Sequence, residues 1–137
     1  MNFRPACLFL VPLLLAATPA RADTCATVEV RNVRPGQGFL MVAAYADAAT
    51  FGKTAVASLR LPAGDAVMNF QLCGLPGTSV ALTSFQDLDG DGKMARNLLG
   101  MPTEPWGASG SPGPFGPAWE TSALALDGTV ISLSLSQ

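Results

Sequence analysis

The chain has 137 residues, with eight lysine and arginine side chains, ten aspartate and glutamate side chains, no histidine and a formal net charge of −2. Without histidine, the serine-histidine and cysteine-histidine nucleophile pairs and the usual zinc ligand sets are excluded. The acidic balance argues against nucleic acid or an anionic membrane as a partner.

Residues 1–22 have the layout of a secretory signal peptide. Arg4 precedes a 12-residue apolar run, ACLFLVPLLLAA, and the segment ends in a small-x-small cleavage site, ARA. The apolar run is shorter than the roughly 18 residues that a membrane-spanning helix needs. We therefore expect cleavage before Asp23, export to a periplasm or out of the cell, no membrane insertion afterwards and a mature net charge of −4.

Residues 23–137 are enough for one domain, and their apolar pattern predicts an all-β fold. Period-two alternation recurs in ATVEVRNV, TAVASLRL, AVMNFQL and SVALTSFQ, whereas GFLMVAAYA is a nearly continuous apolar run typical of a strand buried on both sides. SALAL and TVISLSL are predicted to form a hairpin across Asp127-Gly128. About seven short antiparallel strands indicate a single β-sandwich with Greek-key connections. The side chains predicted to face inward are Ala57, Leu59, Leu61, Met68, Phe70, Leu72, Ile131, Leu133 and Leu135.

Two cysteines, Cys25 and Cys73, remain after removal of the signal segment. In an exported chain an even pair is most simply a disulfide, and here Cys25 enters the first predicted strand while Cys73 leaves the fourth. The alternative is two buried free thiols. A bridge across 48 positions adds on the order of 4 kcal/mol to the free energy of unfolding.

Residues 100–119, GMPTEPWGASGSPGPFGPAW, contain five glycines and five prolines and are predicted to form a long loop without a regular strand or helix. Loops of this length in compact domains are usually functional or disordered. Trp106, Phe115 and Trp119 favour packing, either as a cap on the core or as a binding surface at one end of the sandwich.

The stretch DLDGDGK places Asp87, Asp89 and Asp91 at alternate positions and ends at Lys93. This matches the first half of an EF-hand loop, in which carboxylates and a backbone carbonyl at the Lys93 position bind calcium. The second half does not match, because Leu98 stands where a bidentate glutamate is needed and a strand, not a helix, precedes the loop. A true EF-hand is therefore not predicted.

A loop that leaves a β-strand can still complete a calcium site, because calcium requires six to eight oxygen ligands from any source. Asn97, a backbone carbonyl or Glu104 would supply the oxygens that the aspartates lack. The alternatives are a solvated Asp-Gly turn or another metal, which all-oxygen ligands make less favourable than calcium. Three carboxylates within five residues repel one another unless solvent, a basic side chain or a cation compensates, and calcium is the leading hypothesis.

The order of these motifs resembles the secreted bacterial proteins known as domain of unknown function 2141. The similarity consists of four steps: an acidic Gly-Lys loop, Leu-Gly-x-Pro-x-Glu, aromatic-Gly-x-Ser and Phe-Gly-Pro. The matching residues are Asp87, Asp89, Asp91, Gly92 and Lys93; Leu99, Gly100, Pro102 and Glu104; Trp106, Gly107 and Ser109; Phe115, Gly116 and Pro117. Ala95 and Ala108 depart from the family pattern, which often has an aspartate and an aromatic residue there. The resemblance implies an exported transthyretin-like or immunoglobulin-like β-sandwich with no established activity.

Three functional hypotheses follow. The first is a non-enzymatic exported sandwich in which calcium orders the long loop, whose aromatic side chains bind an envelope protein, a peptide or a glycan. The second is a carrier or accessory domain for a small apolar ligand, held between the sheets where the small side chains of MVAAYA leave room. The third is a carboxylate-based hydrolase that uses Glu104 with Asp87 or Glu120.

Overall fold

The computed structural model describes residues 24–113 and 116–136; the predicted signal peptide and Phe115 lie outside these ranges. Within them the fold is all-β, with two sheets packed together and one four-residue helix. The elements are β1 (Thr24–Arg31), β2 (Phe39–Tyr45), β3 (Ala57–Pro62), β4 (Val67–Leu75), β5 (Ser79–Asp87), β6 (Trp106–Ala108), α1 (Trp119–Ser122), β7 (Ala123–Ala125) and β8 (Ile131–Ser134). The predicted β-sandwich is confirmed, except that one pair of its strands, β1 and β8, is parallel and not antiparallel.

The first sheet has the strand order β4-β1-β8, and the second has the order β3-β2-β5-β6. The short strand β7 lies beside β6 on the same edge of β5. β1 and β4 pair antiparallel in one sheet although β2 and β3, which lie between them in sequence, pair in the other. The chain therefore crosses between the sheets as a Greek-key sandwich requires. No helix in the described residues has the length and hydrophobicity needed to span a membrane.

The core between the sheets follows from period-two alternation. Val28 and Val30 of β1 are fully buried, while Glu29 between them points to the other face. Every side chain predicted to face inward on β3, β4 and the last strand is wholly or partly buried. The sequence pattern therefore identified the core-facing side of these strands correctly.

The predicted hairpin across Asp127-Gly128 is wrong. β7 pairs with β5 in the second sheet, whereas β8 pairs in parallel with β1 in the first. The dipeptide does form a tight turn, in which Asp127 Oδ1 accepts hydrogen bonds from the N–H and the hydroxyl of Thr129 at 3.0 and 2.7 Å. The turn leads the chain from the second sheet to the first. There Ile131 and Leu133 bury their side chains in the core beside β1.

The prediction that residues 100–119 hold no regular strand or helix is also wrong. Trp106–Ala108 form β6, which pairs antiparallel with β5. The prolines of this segment flank the sequence WGAS without interrupting it, so its N–H groups remain available for pairing. The N–H of Ser109, for example, donates to the carbonyl of Leu82 at 2.9 Å. Helix α1 then begins at the last residue of the segment.

The predicted disulfide between Cys25 and Cys73 is present. It joins β1 and β4, which are neighbours in the first sheet, at the end where their register shifts. The bridge therefore reinforces an existing strand pair and does not connect the two sheets.

The outer faces of the two sheets differ in polarity. On the first sheet, Gln71 donates to the hydroxyl of Thr27 at 2.6 Å and Ser132 donates to Glu29 at 3.3 Å, as expected of a solvated face. On the second sheet, alternation places Met41 and Phe85 on the outside, because their neighbours along each strand point into the core. β2 is therefore apolar on both faces, but the predicted burial on both sides is wrong, because Met41 and Ala43 on the outer face are only partly buried.

Candidate metal centre

Three aspartates converge where β5 ends. Asp87 is the last residue of the strand and is fully buried, whereas Asp89 and Asp91, in the loop that follows, are exposed. One carboxylate oxygen from each residue lies within 4.8 Å of the other two. The structure thus brings the three predicted aspartates together, with one at the base and two at the rim.

The loop backbone wraps around the Asp87 carboxylate. Its Oδ1 accepts a hydrogen bond from the N–H of Gly90 and its Oδ2 accepts one from the N–H of Gly92, both at 2.8 Å. These glycines have φ values of 77° and 78°, a conformation that a residue with a Cβ adopts only at a cost. The Asp-Gly-Asp-Gly sequence therefore allows the chain to turn tightly around a buried charge.

Asp89 and Asp91 continue the same type of contact toward the end of the loop. Asp89 Oδ1 accepts a hydrogen bond from the N–H of Asp91 at 3.0 Å, and Asp91 Oδ1 accepts one from the N–H of Lys93 at 2.8 Å. Each contact occupies one oxygen, and a carboxylate has about four lone-pair sites. Further acceptor capacity on both residues therefore remains for a cation. Lys93 takes part through its backbone, and its side chain is exposed.

Asp87 is held in its charged form by its surroundings. Burial opposes ionisation, but the N–H groups of Gly92 and Gly90 favour the carboxylate more strongly, so the pKa of Asp87 is lowered from its ordinary value of 3.8. The positive charge of Arg60 acts in the same direction. This guanidinium lies 3.4 Å from the ring centre of Phe39, the residue opposite Asp87 in the pairing of β2 with β5.

Asp89 is shifted in the opposite direction. The N–H of Asp91 favours its charged form, but desolvation, the charges of Asp91 and Glu104 and the hydrogen bond shared with Asp87 outweigh that effect and raise the pKa of Asp89 above 3.8. The pKa of Asp87 is lowered and that of Asp89 is raised. The loop therefore stabilises the negative charge of Asp87 but not that of Asp89. A bound cation would remove this imbalance.

Glu104 binds the backbone of the aspartate loop at two points. It is 6% exposed, and its Oε1 and Oε2 accept hydrogen bonds from the N–H groups of Leu88 and Ala95 at 2.8 and 2.9 Å. The side chain therefore connects both ends of the aspartate loop to the strand that follows. The carboxylates that the structure gathers closely are those of the three aspartates, and Glu104 lies next to them as a brace.

Asn97 lies in a separate turn and also binds backbone. Its Oδ1 accepts hydrogen bonds from the N–H groups of Leu99 and Met101 at 2.9 and 3.1 Å. Of the six predicted ligands, three aspartates thus form the cluster, Lys93 closes the loop, and Asn97 and Glu104 hold the neighbouring backbone.

Two residues from outside the loop position the site and were not found from the sequence. Gly38, which precedes β2, lies directly against the backbone carbonyl of Asp87. The buried side chain of Gln86 accepts the N–H of Arg34 at 2.8 Å and donates to the carbonyls of Arg34 and Gln37 at 2.8 and 2.6 Å, which fixes the β1–β2 turn beside the site. The sequence did contain a signal for Gln86, because alternation along β5 assigns this polar residue to an inward position.

A groove of about 900 Å³ lies over the outer face of the second sheet, beside the aspartate cluster. Tyr45, Phe51 and Trp106 contribute aromatic rings to its lining. Trp119 packs edge-to-face on Phe51 with the ring centres 6.4 Å apart, and Phe51 packs on Tyr45 at 5.2 Å. Of the predicted aromatic surface, Trp106 therefore lines the groove, Trp119 packs on one of its walls, and Phe115 lies outside the described residues.

The small side chains of β2 lie on both faces of the second sheet. Ala44 is fully buried in the core, while Ala43 lines a second groove of about 230 Å³ on the outer face. The groove that the structure shows beside this alanine-rich strand is therefore on the outside of the sandwich.

A family model matches residues 28–133, a range that runs from β1 into β8 and includes all six candidate metal ligands. Its members are described as uncharacterized proteins conserved in bacteria, domain of unknown function 2141. The chain belongs to this family. No curated protein and no solved structure gave a significant match. The similarity seen in the motifs of the sequence is therefore confirmed at the level of the family and of the β-sandwich.

Proposed function

We propose that the aspartate loop binds one calcium ion and that calcium fixes the loop region of an exported, non-enzymatic β-sandwich. The supporting observation is the convergence of carboxylate oxygens from Asp87, Asp89 and Asp91 within 4.8 Å. In residues 24–113 and 116–136 the one ion pair joins Arg31 to Glu29, so no described basic side chain pairs directly with the cluster. Hard oxygen donors with several negative charges favour calcium over zinc or copper.

The aspartates offer up to six oxygens, and backbone carbonyls or water would complete a shell of six to eight. Only a modest affinity is needed for calcium to matter to this fold. With a dissociation constant near 0.1 mM, roughly 1 mM free calcium would add about 1.4 kcal/mol to the free energy of unfolding.

Calorimetric titration of residues 23–137 with calcium tests the proposal, together with melting curves in calcium and in chelator. We expect one equivalent of calcium, a higher melting temperature, and loss of both in Asp91→Asn. Asp127→Asn is the matched control, because Asp127 makes a similar turn with Thr129 at 3.0 Å in the β7–β8 connection. The absence of heat and of a thermal shift up to several millimolar calcium, or an equal loss in the control, would refute calcium binding.

Export is supported by the signal-like residues 1–22 and by the disulfide, since disulfides persist in oxidising compartments. Expression of the full chain in a bacterial host with cell fractionation tests this part. We expect a product that begins at Asp23 and carries an oxidised Cys25–Cys73 pair outside the cytoplasm. An uncleaved cytoplasmic product with free thiols would contradict it.

A non-enzymatic function is supported by how the candidate acids are used. Both oxygens of Asp87 and both oxygens of Glu104 accept backbone N–H groups, and the two residues are buried. Glu120 is exposed on α1, which begins beyond β6. A glycosidase-like pair requires two carboxyl groups that face a substrate.

A second candidate function is ligand binding in the 900 Å³ groove, which is supported by its aromatic lining. Phe51 and Trp106 are partly exposed in this lining, and aromatic rings of this kind pack against a sugar or a small apolar ligand. Native mass spectrometry of protein purified from its source tests for such a ligand. We expect Trp106→Ala to lose it and the exposed control Val56→Ala to keep it; a protein free of any co-purifying ligand would count against this function.

A further inference from the structure

Residues 95–103 form a small hairpin whose tip carries the most exposed large apolar side chains of the described residues. Leu98, Leu99 and Met101 are 106%, 84% and 60% exposed. The bridge between Arg96 and Pro102 forms the base of the hairpin. Single exposed apolar residues are ordinary, but adjacent ones on a projecting turn mark a contact site.

The tip is held by internal hydrogen bonds. Asn97 Oδ1 accepts the N–H groups of Leu99 and Met101, the N–H of Asn97 donates to the Met101 carbonyl at 2.9 Å, and the N–H of Gly100 donates to the Asn97 carbonyl at 2.9 Å. These polar backbone groups already have partners within the turn. A segment that enters a water-free environment must satisfy its backbone in this way.

One basic side chain contacts the turn, and a second precedes the hairpin in the sequence. Arg96 is exposed and its Nη1 donates to the Gly100 carbonyl at 2.8 Å, which places the guanidinium at the base of the turn. Lys93 is exposed three residues earlier. Neither forms an ion pair in the part of the chain that the structure describes. Their charge is complementary to phosphate groups and opposite to the net charge of the whole chain.

We propose that this tip inserts into the surface of a glycerophospholipid bilayer, with Leu98 and Leu99 at the boundary of the acyl chains and with Arg96 and Lys93 at the phosphates. The aliphatic character of the tip favours lipid over a protein partner, because leucine is under-represented among the residues that dominate protein interfaces. Basic side chains beside an apolar insertion are the arrangement that membrane-surface segments use.

The acidic balance of the chain argued against an anionic membrane as a partner. That argument concerns long-range attraction, whereas the proposed bilayer contact is local. Binding is expected to be weak and reversible, since two leucines bury less apolar surface than a single acyl chain. The insertion does not require calcium, because the turn that carries the leucines is held by Asn97. Calcium would strengthen the contact of Lys93 with phosphate, since it would neutralise the exposed carboxylates of Asp89 and Asp91 in the same loop.

Flotation with vesicles tests the inference, using residues 23–137 and either phosphatidylglycerol with phosphatidylethanolamine or phosphatidylcholine alone, each with calcium and with chelator. We expect the wild type to float with the anionic vesicles. The double variant Leu98→Ser/Leu99→Ser is expected to bind at least about tenfold more weakly. Arg96→Gln is expected to lose about fivefold on the anionic vesicles alone.

Val130→Ser is the matched control, because Val130 is 54% exposed in the β7–β8 connection, at the opposite end of β5 from the hairpin. It should float like the wild type. Failure of the wild type to float under both calcium conditions, or equal flotation of the double variant, overturns the inference. Self-association in light scattering that the double variant abolishes would assign the tip to contacts between copies instead. A calcium effect on melting without flotation would leave calcium binding intact and refute the bilayer contact alone.

Discussion

Gly38 touches the backbone carbonyl oxygen of Asp87, and a Cβ at position 38 would overlap that atom. The glycine also has a φ of 62°, which disfavours any residue with a side chain. We expect Gly38→Ala to lower the free energy of unfolding by about 2–5 kcal/mol, because the backbone strain and the forced displacement of β5 add.

Gly36→Ala is the control for this substitution. Its φ is 74°, but the space around a Cβ there is open, so only the backbone strain of about 1–2 kcal/mol applies. Urea denaturation of both variants measures the difference. Equal losses would show that the close approach to Asp87 contributes nothing.

Glu104→Gln should destabilise the protein in chelator as well as in calcium. The glutamine amide offers one oxygen where the two backbone N–H groups of Leu88 and Ala95 now each have a carboxylate oxygen, so one buried donor loses its acceptor. The expected loss is about 1–3 kcal/mol in urea denaturation. The exposed control Glu120→Gln should change stability by less than about 0.5 kcal/mol. A loss seen only in calcium would identify Glu104 as a metal ligand and not as a brace.

Asp89→Asn should have opposite effects on stability in chelator and in calcium. In chelator at neutral pH the variant is expected to melt higher, because the raised pKa of Asp89 means that its charge is unfavourable in the folded loop. The wild type gains stability as the pH falls through that raised value, so the advantage of the variant should vanish below 3.8. In calcium the variant should bind at least about tenfold more weakly and melt lower than the wild type. Melting curves from neutral to acid pH with both additives measure these differences.

Asp87 should show the reverse pH dependence. Its lowered pKa stabilises the folded state above the ordinary value of 3.8, and this contribution is lost as the pH falls through the folded-state value. In the Asp89→Asn background, where the opposing titration is absent, stability should therefore decline on acidification. Asp47 and Asp127, whose pKa values are also lowered by hydrogen bonds, contribute in the same direction. A pH-independent stability in that background would contradict the hydrogen bonding of Gly90 and Gly92 to this carboxylate.

Removing the Cys25–Cys73 bridge should lower the free energy of unfolding by about 4 kcal/mol, since the bridge spans 48 positions of the unfolded chain. The double variant Cys25→Ser/Cys73→Ser and the reduced wild type should show the same urea midpoint. Reductant should leave the double variant unchanged. A midpoint that does not differ between oxidised and reduced wild type would contradict the expected stabilisation.

The strands and their inward faces were predictable because period-two alternation is a local property of the sequence. The neighbour with which a strand pairs is not determined by its local sequence. The turn at Asp127 and Gly128 forms as its sequence indicates. Whether β8 then pairs with β7 or with β1 depends on how strands that are distant in the sequence pack. β6 was missed because a strand of three residues in a proline-rich segment is too short to show alternation.

The acidic cluster was predictable because its three carboxylates come from consecutive turns of one loop. Its surroundings come from other strands. Gly38, Gln86 and Arg60 reach the site through the packing of β2, β3 and β5, and no local pattern assigns them to it. The hydrogen bonds of Glu104 likewise depend on how the chain folds back after the hairpin, so the sequence identified the residue but not its contact with the backbone.

The pairing of β8 with β1 places a contact such as that of Ser132 with Glu29 between residues 103 positions apart. β1 is the central strand of the first sheet, so that sheet is incomplete until residues 131–134 have been synthesised. Such long-range closure makes folding slow relative to helical proteins of the same size. Strand β8 therefore completes the first sheet, and a chain that lacks Ile131–Ser134 would leave the β1 edge that β8 covers unpaired.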